Sequence, residues 1–272
     1  MTAASFRDRA GRMTVAIALA MMVLSLAAGL FDERTLGGAS VWSKPTKFNF
    51  SFAVHIATLM VFLSLLQADL RKSKLITSTM LVTCAAVLLE LGYVGLQAAR
   101  GRASHFNQET PWEELAYYAM GAAVAVVLLG TLVIGLTVWR RPVSQVGPGL
   151  RLGVGLGTLA GTLATLATAG AMSSMQFTPT GHWVGGDLTD AGGLPILGWS
   201  TTGGDLRVPH FFATHLLQAL PVAGWLADRS GLAFPRVVPL VAAVAGLAIV
   251  WFTFQQAMSG QPVIGWNTAR SP

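Results

Sequence analysis

The apolar positions of this chain fall into seven long runs, separated by polar segments. A helix that crosses the hydrocarbon core of a membrane needs about 20 mainly apolar residues. The sequence predicts seven such helices, at 13–31, 48–67, 75–98, 114–138, 150–172, 208–227 and 235–258. The expected fold class is all-α, a polytopic transmembrane helical bundle that forms one membrane-embedded domain over residues 1–272.

Composition supports a lipid bilayer as the environment of the chain. Only 11% of the residues are charged, whereas soluble domains have about 25%. Eleven of the 18 Lys and Arg residues lie on one side of the predicted spans, which predicts the N-terminus inside and the C-terminus outside. The high pI reflects these short basic loops, so we expect no nucleic-acid partner.

The first apolar run allows a second interpretation. Arg7, Arg9 and Arg12 precede it and small residues end it, a pattern that resembles a secretory signal. Cleavage would leave six spans. The apolar stretch is longer than a typical signal core, which favours a retained first span.

Scarce polar side chains gather toward the predicted outer ends of the second, third and sixth runs. Several polar groups at one membrane depth indicate a shared site. The longest loop, 173–207, is predicted outside and is interpreted either as a cap over this site or as a solvated connector. The clustered residues are Lys44, Lys47, His55, Glu90, Gln97, Arg100, His105, Asn107, Arg207, His210, His215 and Gln218.

Spacing allows two histidines to face each other. His55 follows Lys47 by eight residues and His215 follows Arg207 by eight, which puts each imidazole about 12 Å inward from its basic marker. The leading hypothesis is a b-type haem held by His55 and His215 for electron transfer with a quinone or a redox partner.

The same hypothesis gives roles to the neighbouring polar residues. The haem propionates would pair with four basic residues, Lys44, Lys47, Arg100 and Arg207. Glu90, Gln97 and His105 would shape access from outside.

Three alternatives remain open at the level of sequence. A single transition metal held by His55, Glu90 and His215 or His210 would make a membrane metal-dependent enzyme. A cavity without cofactor would bind or transport an anionic lipid, a small carboxylate or a quinone headgroup, with histidines moving protons. The histidines would otherwise only hydrogen-bond between helices.

The fifth run contains a stripe of small residues. Gly153, Gly157 and Gly161 recur every four residues, which lets another helix approach backbone to backbone. The stripe predicts tight packing within the bundle, with homo-oligomerisation through the same surface as the alternative.

Three segments resemble a family of uncharacterised polytopic bacterial membrane proteins. They are Lys44-Pro45-Thr46-Lys47-Phe48, residues 97–107 and residues 204–215, and the resemblance spans about residues 40–225. The resemblance implies a multi-pass protein of the bacterial inner membrane whose three segments form one site. It implies no chemistry, because no activity is established for that family.

Overall fold

A computed structural model describes residues 3–174 and 181–265. Within these ranges each of the seven predicted runs corresponds to one long helix, and the largest difference is at the first, which begins at Ala3 rather than at residue 13. A single short helix, α3, joins two of them. The helices are α1 (Ala3–Gly29), α2 (Ser43–Ser64), α3 (Ala68–Arg71), α4 (Lys74–Ala99), α5 (Pro111–Arg140), α6 (Pro148–Ser173), α7 (Arg207–Arg229) and α8 (Val237–Met258).

Six of the long helices are long and apolar enough to cross a membrane. The chain is therefore a multi-pass α-helical membrane protein. Helix α7 is the exception among the long helices in the described ranges. It is 23 residues long, but its first half contains Arg207, His210, His215 and Gln218, which lower its hydropathy.

Consecutive long helices run in opposite directions, so the bundle has two distinct ends. The end where α2, α5 and α7 begin and α4 ends is named the polar end, since the predicted polar cluster lies there. Arg34, after α1, donates a hydrogen bond to the Ala99 carbonyl at the end of α4. At the opposite end, Asp228 of α7 accepts from the backbone amides of Gly149 and Leu150 of α6.

Two small hairpins lie at the polar end. Strands β1 (Thr35–Leu36) and β2 (Ala39–Ser40) are antiparallel, as are β3 (Trp183–Val184) and β4 (Gly204–Asp205). Gly37 and Gly38 form the first turn with φ angles of 59° and 85°, which side chains rarely tolerate. The predicted loop 173–207 thus includes β3 and β4, and its residues 175–180 lie outside the described residues.

The glycine stripe of α6 packs against α7. A Cβ atom on Gly153 would lie 2.3 Å from the Leu220 carbonyl oxygen, and one on Gly157 would lie 2.8 Å from that of Leu216. At Gly161 the nearest atom would be the Leu217 amide nitrogen, at 3.2 Å. Tight packing within the bundle is confirmed, and the three glycines offer no free surface for homo-oligomerisation through the same stripe.

We expect the substitution Gly153→Ala to destabilise the bundle, because the new methyl group would overlap backbone atoms of α7 that cannot move aside. Overpacking of this kind costs about 1–3 kcal/mol. Gly170→Ala is the matched control on the same helix, since a Cβ atom there meets nothing within 4 Å. Thermal unfolding in mild detergent should show a lower midpoint for Gly153→Ala alone, and equal midpoints for the two variants would contradict the packing described.

Candidate functional site

Glu90 is a buried carboxylate on α4 without a hydrogen bond. Its residue is 2% exposed, and neither carboxylate oxygen has a hydrogen-bond partner among the described residues. Oε1 lies 3.3 Å from Nε2 of His105, a distance suited to an ion pair but without the alignment of a hydrogen bond. A carboxylate in this state is costly if it is charged, so the position requires a proton or an external donor.

His105 joins Glu90 to a hydroxyl group. It lies in the segment between α4 and α5, and its Nδ1 is 3.1 Å from Oγ of the preceding Ser104. A hydroxyl can either donate or accept, so Ser104 accommodates both neutral tautomers of the imidazole. A short relay is thus formed by Ser104, His105 and Glu90. The last two are named the Glu90–His105 pair.

Aromatic rings and one lysine surround this pair. The Phe48 ring lies 5.3 Å from the imidazole of His105 and the Tyr117 ring 6.5 Å from it, measured between centroids. Lys44 Nζ lies 5.4 Å from the centroid of Phe48, and its charge acts on both Glu90 and His105. Among the described residues Lys44 forms no ion pair, so its charge is directed at the site.

The surroundings of His105 keep its imidazole neutral. Burial, and then the positive charge of Lys44, hold the pKa of His105 well below its usual value. The neutral form of the imidazole is therefore the favoured one.

A second buried carboxylate, Glu113 of α5, is fully satisfied. It is 1% exposed. It accepts a hydrogen bond from the Thr110 hydroxyl at 3.0 Å and lies 2.9 Å from Nε of Arg102. Arg100 is 3.7 Å away, and Gln97 links them by accepting from Arg100 at 2.8 Å and donating weakly to Glu113 at 3.4 Å.

Arg207 is likewise neutralised within the chain. Its guanidinium donates to Asp205 and to Asp190, both at 2.7 Å, and to the Gly198 carbonyl at 2.7 Å. The Asp190 carboxylate also lies 4.0 Å from His182. Burial alone would raise the pKa of Asp190, but His182 and Arg207 together lower it. Arg100 and Arg207 therefore each have a carboxylate partner within the chain.

The described residues of the loop, from Gly181 onward, cover the polar end. Lys47 donates to the Leu197 carbonyl at 3.1 Å, and the amide of Asp190 donates to the Gly37 carbonyl at 2.7 Å. Gly181 packs against the ring of Phe106, since a Cβ atom on it would lie 2.5 Å from that ring. The cap interpretation of this loop agrees with these contacts.

His55 uses one ring nitrogen, Nε2, in a hydrogen bond between helices. Its Nε2 lies 3.0 Å from the Thr131 hydroxyl of α5. That hydroxyl donates its hydrogen to the Val127 carbonyl at 2.9 Å, so its oxygen accepts from His55. The tautomer with a proton on Nε2 follows from this arrangement, and Nε2 then has no lone pair for a metal.

The other predicted histidines of α7 contact different neighbours. His210 Nδ1 lies 3.0 Å from the Thr168 hydroxyl of α6, and the ring of His215 packs edge-on against Phe211, with centroids 4.3 Å apart. Gln218 donates to the Thr58 hydroxyl of α2 at 3.3 Å.

The protein-bound metal centre predicted from His55, Glu90 and His210 or His215 receives no support from this arrangement. Within residues 3–174 and 181–265, no three His, Cys, Asp or Glu side chains are grouped so that they could hold a metal ion. The neighbours with polar contacts differ, since His55 contacts Thr131, His210 contacts Thr168 and Glu90 contacts His105.

Eight of the twelve residues of the predicted polar cluster fall into three groups, and the other four have the separate neighbours described above. The first group consists of Glu90, His105 and Lys44. The second consists of Gln97 and Arg100 with Glu113. The third, Lys47 and Arg207, belongs to the cap. Asn107 lies beside the second group, since its side chain donates to the Ala103 carbonyl at 2.9 Å.

The sequence prediction missed three acidic residues of these groups. Glu113 follows Thr110 in a capping box, a motif whose signal is present in the sequence. Asp190 and Asp205 lie in a long loop without periodicity, so only the tertiary structure reveals their pairing with Arg207.

Comparison of the chain with protein-family models, with curated proteins and with solved structures gives no match.

We expect Asp190→Asn to loosen the cap, because it removes the carboxylate charge next to Arg207. The two side chains are about one fifth exposed, and loss of one partner of such a pair costs about 1–3 kcal/mol. Hydrogen exchange of residues 181–206 should become faster, with the amide of Asp190 itself as a reporter. Asp187→Asn is the control, since its exposed side chain forms no ion pair among the described residues. Unchanged exchange in Asp190→Asn would show that the ion pair does not hold the cap.

Proposed function

We propose that this protein is a proton-linked binding or transport protein of the bacterial inner membrane that works without a metal or haem. Its site is formed by Glu90, His105, Ser104 and Lys44 at the polar end. The observation that carries the proposal is the Glu90 carboxylate, buried to 2% exposure with both oxygens unbonded. Ionisable groups at such positions in membrane proteins commonly serve proton relays and solute pathways.

The relay holds one proton in either of two arrangements. In the first, Glu90 is protonated and His105 is neutral, as its lowered pKa favours. In the second, Glu90 is ionised and the proton has moved to Nε2 of His105, while Ser104 supports the opposite nitrogen. Both arrangements have the same total charge, so a ligand that interacts with Glu90 selects between them at low electrostatic cost.

The ligand is a small polar solute with at least one hydrogen-bond donor. Two free carboxylate oxygens require donors, and the aromatic rings of Phe48 and Tyr117 suit the apolar part of a solute. An anionic lipid or a small carboxylate fits less well, because Arg100 and Arg207 are already paired with acidic residues. Lys44 is the cation left to fix the orientation of the solute.

We propose further that α7 crosses the membrane as the seventh span, with the N-terminus inside. Helix α7 runs along the length of α6, and its outward residues Phe211, Val222, Trp225 and Leu226 are apolar and between 37% and 54% exposed. Its polar residues face the bundle or lie near one of its two ends. The excess of Lys and Arg at the opposite end then makes that end cytoplasmic and places the site on the outer side.

The haem hypothesis remains a second candidate, and one observation favours it. A hydrogen bond joins Gln218 of α7 to Thr58 of α2. Gln218 lies three residues after His215, and Thr58 lies three residues after His55. Since α2 and α7 run in the same direction, the two histidines are at similar depth. Haem ligation by Nε2 of His55 would first have to break its hydrogen bond with Thr131. Lys47, Arg100 and Arg207 would have to leave their present partners to bind propionates.

We expect infrared difference spectra of the reconstituted protein, taken between acidic and alkaline buffer, to contain a carboxylic-acid C=O band from Glu90, because the proposed relay holds its proton on Glu90 while the imidazole of His105 is neutral. The variant Glu90→Gln should lose this band. Glu33→Gln should keep it, since Glu33 is an exposed acid at the same end. A spectrum of Glu90→Gln identical to that of the wild type would show that Glu90 does not exchange a proton.

We expect the purified protein to show no Soret band, even after haem supplementation during expression, because the Nε2 atom of His55 is committed to Thr131. A Soret band that disappears in both His55→Ala and His215→Ala, but persists in His182→Ala, would overturn the proposal in favour of haem. Absorption spectra of the four proteins, extracted in parallel, provide the measurement.

A further inference from the structure

The opposite end of the bundle contains a basic cavity that the proposed function does not use. Its volume is about 460 Å³, within the range of about 300–1,000 Å³ typical of ligand pockets. It lies where α5 ends and where α6 and α8 begin. Its lining residues are Trp139, Arg140, Pro148, Arg151, Leu152 and Arg236.

Two of the three arginines have no partner for their charge. The guanidinium groups of Arg140 and Arg236 form no hydrogen bond or ion pair with any described residue, and Arg140 lies over the Trp139 ring at 5.8 Å from its centroid. Arg151 is held in place because its Nε donates to the Trp139 carbonyl at 2.7 Å. Three like charges around one cavity repel one another unless an anion lies between them.

The N-terminus of α6, the nearest helix terminus, has no free amides to offer that anion. Asp228 already accepts from the first amides of α6, at 2.8 Å from Gly149 and 2.7 Å from Leu150. The positive potential of the cavity therefore comes from the guanidinium groups, which bind phosphate oxygens with two parallel hydrogen bonds.

The cavity opens beside a surface suited to acyl chains. Directly after Arg236, the outward face of α8 presents Val237, Leu240, Val241 and Val244, each between 51% and 66% exposed. Tryptophan and arginine at the end of a membrane helix are typical of the headgroup level. A ligand with a phosphate in the cavity and a hydrocarbon tail along α8 satisfies both features at once.

We propose that this cavity is a binding site for the phosphate headgroup of an anionic phospholipid. Arg140 and Arg236 bind the phosphate oxygens, Arg151 contributes its remaining donors, and the Trp139 ring packs beside the glycerol region. The acyl chains lie on the apolar face of α8. The site links the ends of three helices, so an occupied site stabilises the bundle at this end by mass action.

The test measures thermal unfolding of the full chain in detergent micelles with added lipid. The probes are phosphatidylglycerol, phosphatidylcholine and inorganic phosphate. We expect phosphatidylglycerol to raise the midpoint in a saturable manner, with smaller effects of the other two. The double variant Arg140→Gln/Arg236→Gln should need roughly tenfold more phosphatidylglycerol for the same rise, because two charge-assisted contacts are lost.

The matched control is Arg9→Gln/Arg12→Gln. Both arginines are exposed on α1 at the same end of the bundle, and the change removes the same charge. If this control responds to phosphatidylglycerol as the wild type does, the site is supported. If both double variants lose the response equally, the lipid is attracted to the general positive charge of this end, and the proposal is overturned. Equal stabilisation by phosphatidylcholine also overturns the proposal, as does stabilisation by inorganic phosphate with none by phosphatidylglycerol.

Discussion

The close contact between α6 and α7 is the interaction on which the polar half of the bundle depends. Helix α7 is the least apolar of the long helices in the described ranges, so bilayer hydrophobicity alone holds it weakly. Gly153, Gly157 and Gly161 bring its backbone within van der Waals distance of α6, and dispersion over such a contact drives helix association in lipid. Through this contact Arg207, His210 and Gln218 acquire fixed partners on the cap, on α6 and on α2.

The polar end then neutralises most of its charges internally. Arg207 is paired with Asp205 and Asp190, and Arg102 with Glu113 and Glu109. The pairs of Arg207 with Asp190 and of Arg102 with Glu113 join residues that are distant in the chain, whereas Asp205 and Glu109 pair with an arginine of their own segment. A basic cluster in a membrane sequence can therefore reflect the attachment of loops as readily as the binding of an anion.

The sequence predicted the helices well and the partners of their side chains poorly, for a physical reason. Span length and apolarity are fixed by bilayer thickness, so seven runs gave seven helices. Partner choice depends on rotation about each axis, and neighbouring positions differ by about 100°. His55, for which the sequence suggested only a partner on α7, donates from Nε2 to Thr131 of α5. The ion pairs of Asp190 had no periodic signal, because a loop path is determined by tertiary contacts.

The contrast between Glu90 and Glu113 argues for a special role of Glu90. Both carboxylates are almost fully buried on adjacent helices, and a fold that satisfies Glu113 with Thr110, Gln97 and two arginines has the means to satisfy a buried acid. Glu90 instead has an unaligned histidine at 3.3 Å and a lysine whose charge acts from farther away. An apolar residue at this position would avoid the cost of an unbonded carboxylate, so the bundle gains stability only when a proton or a donor group occupies the site.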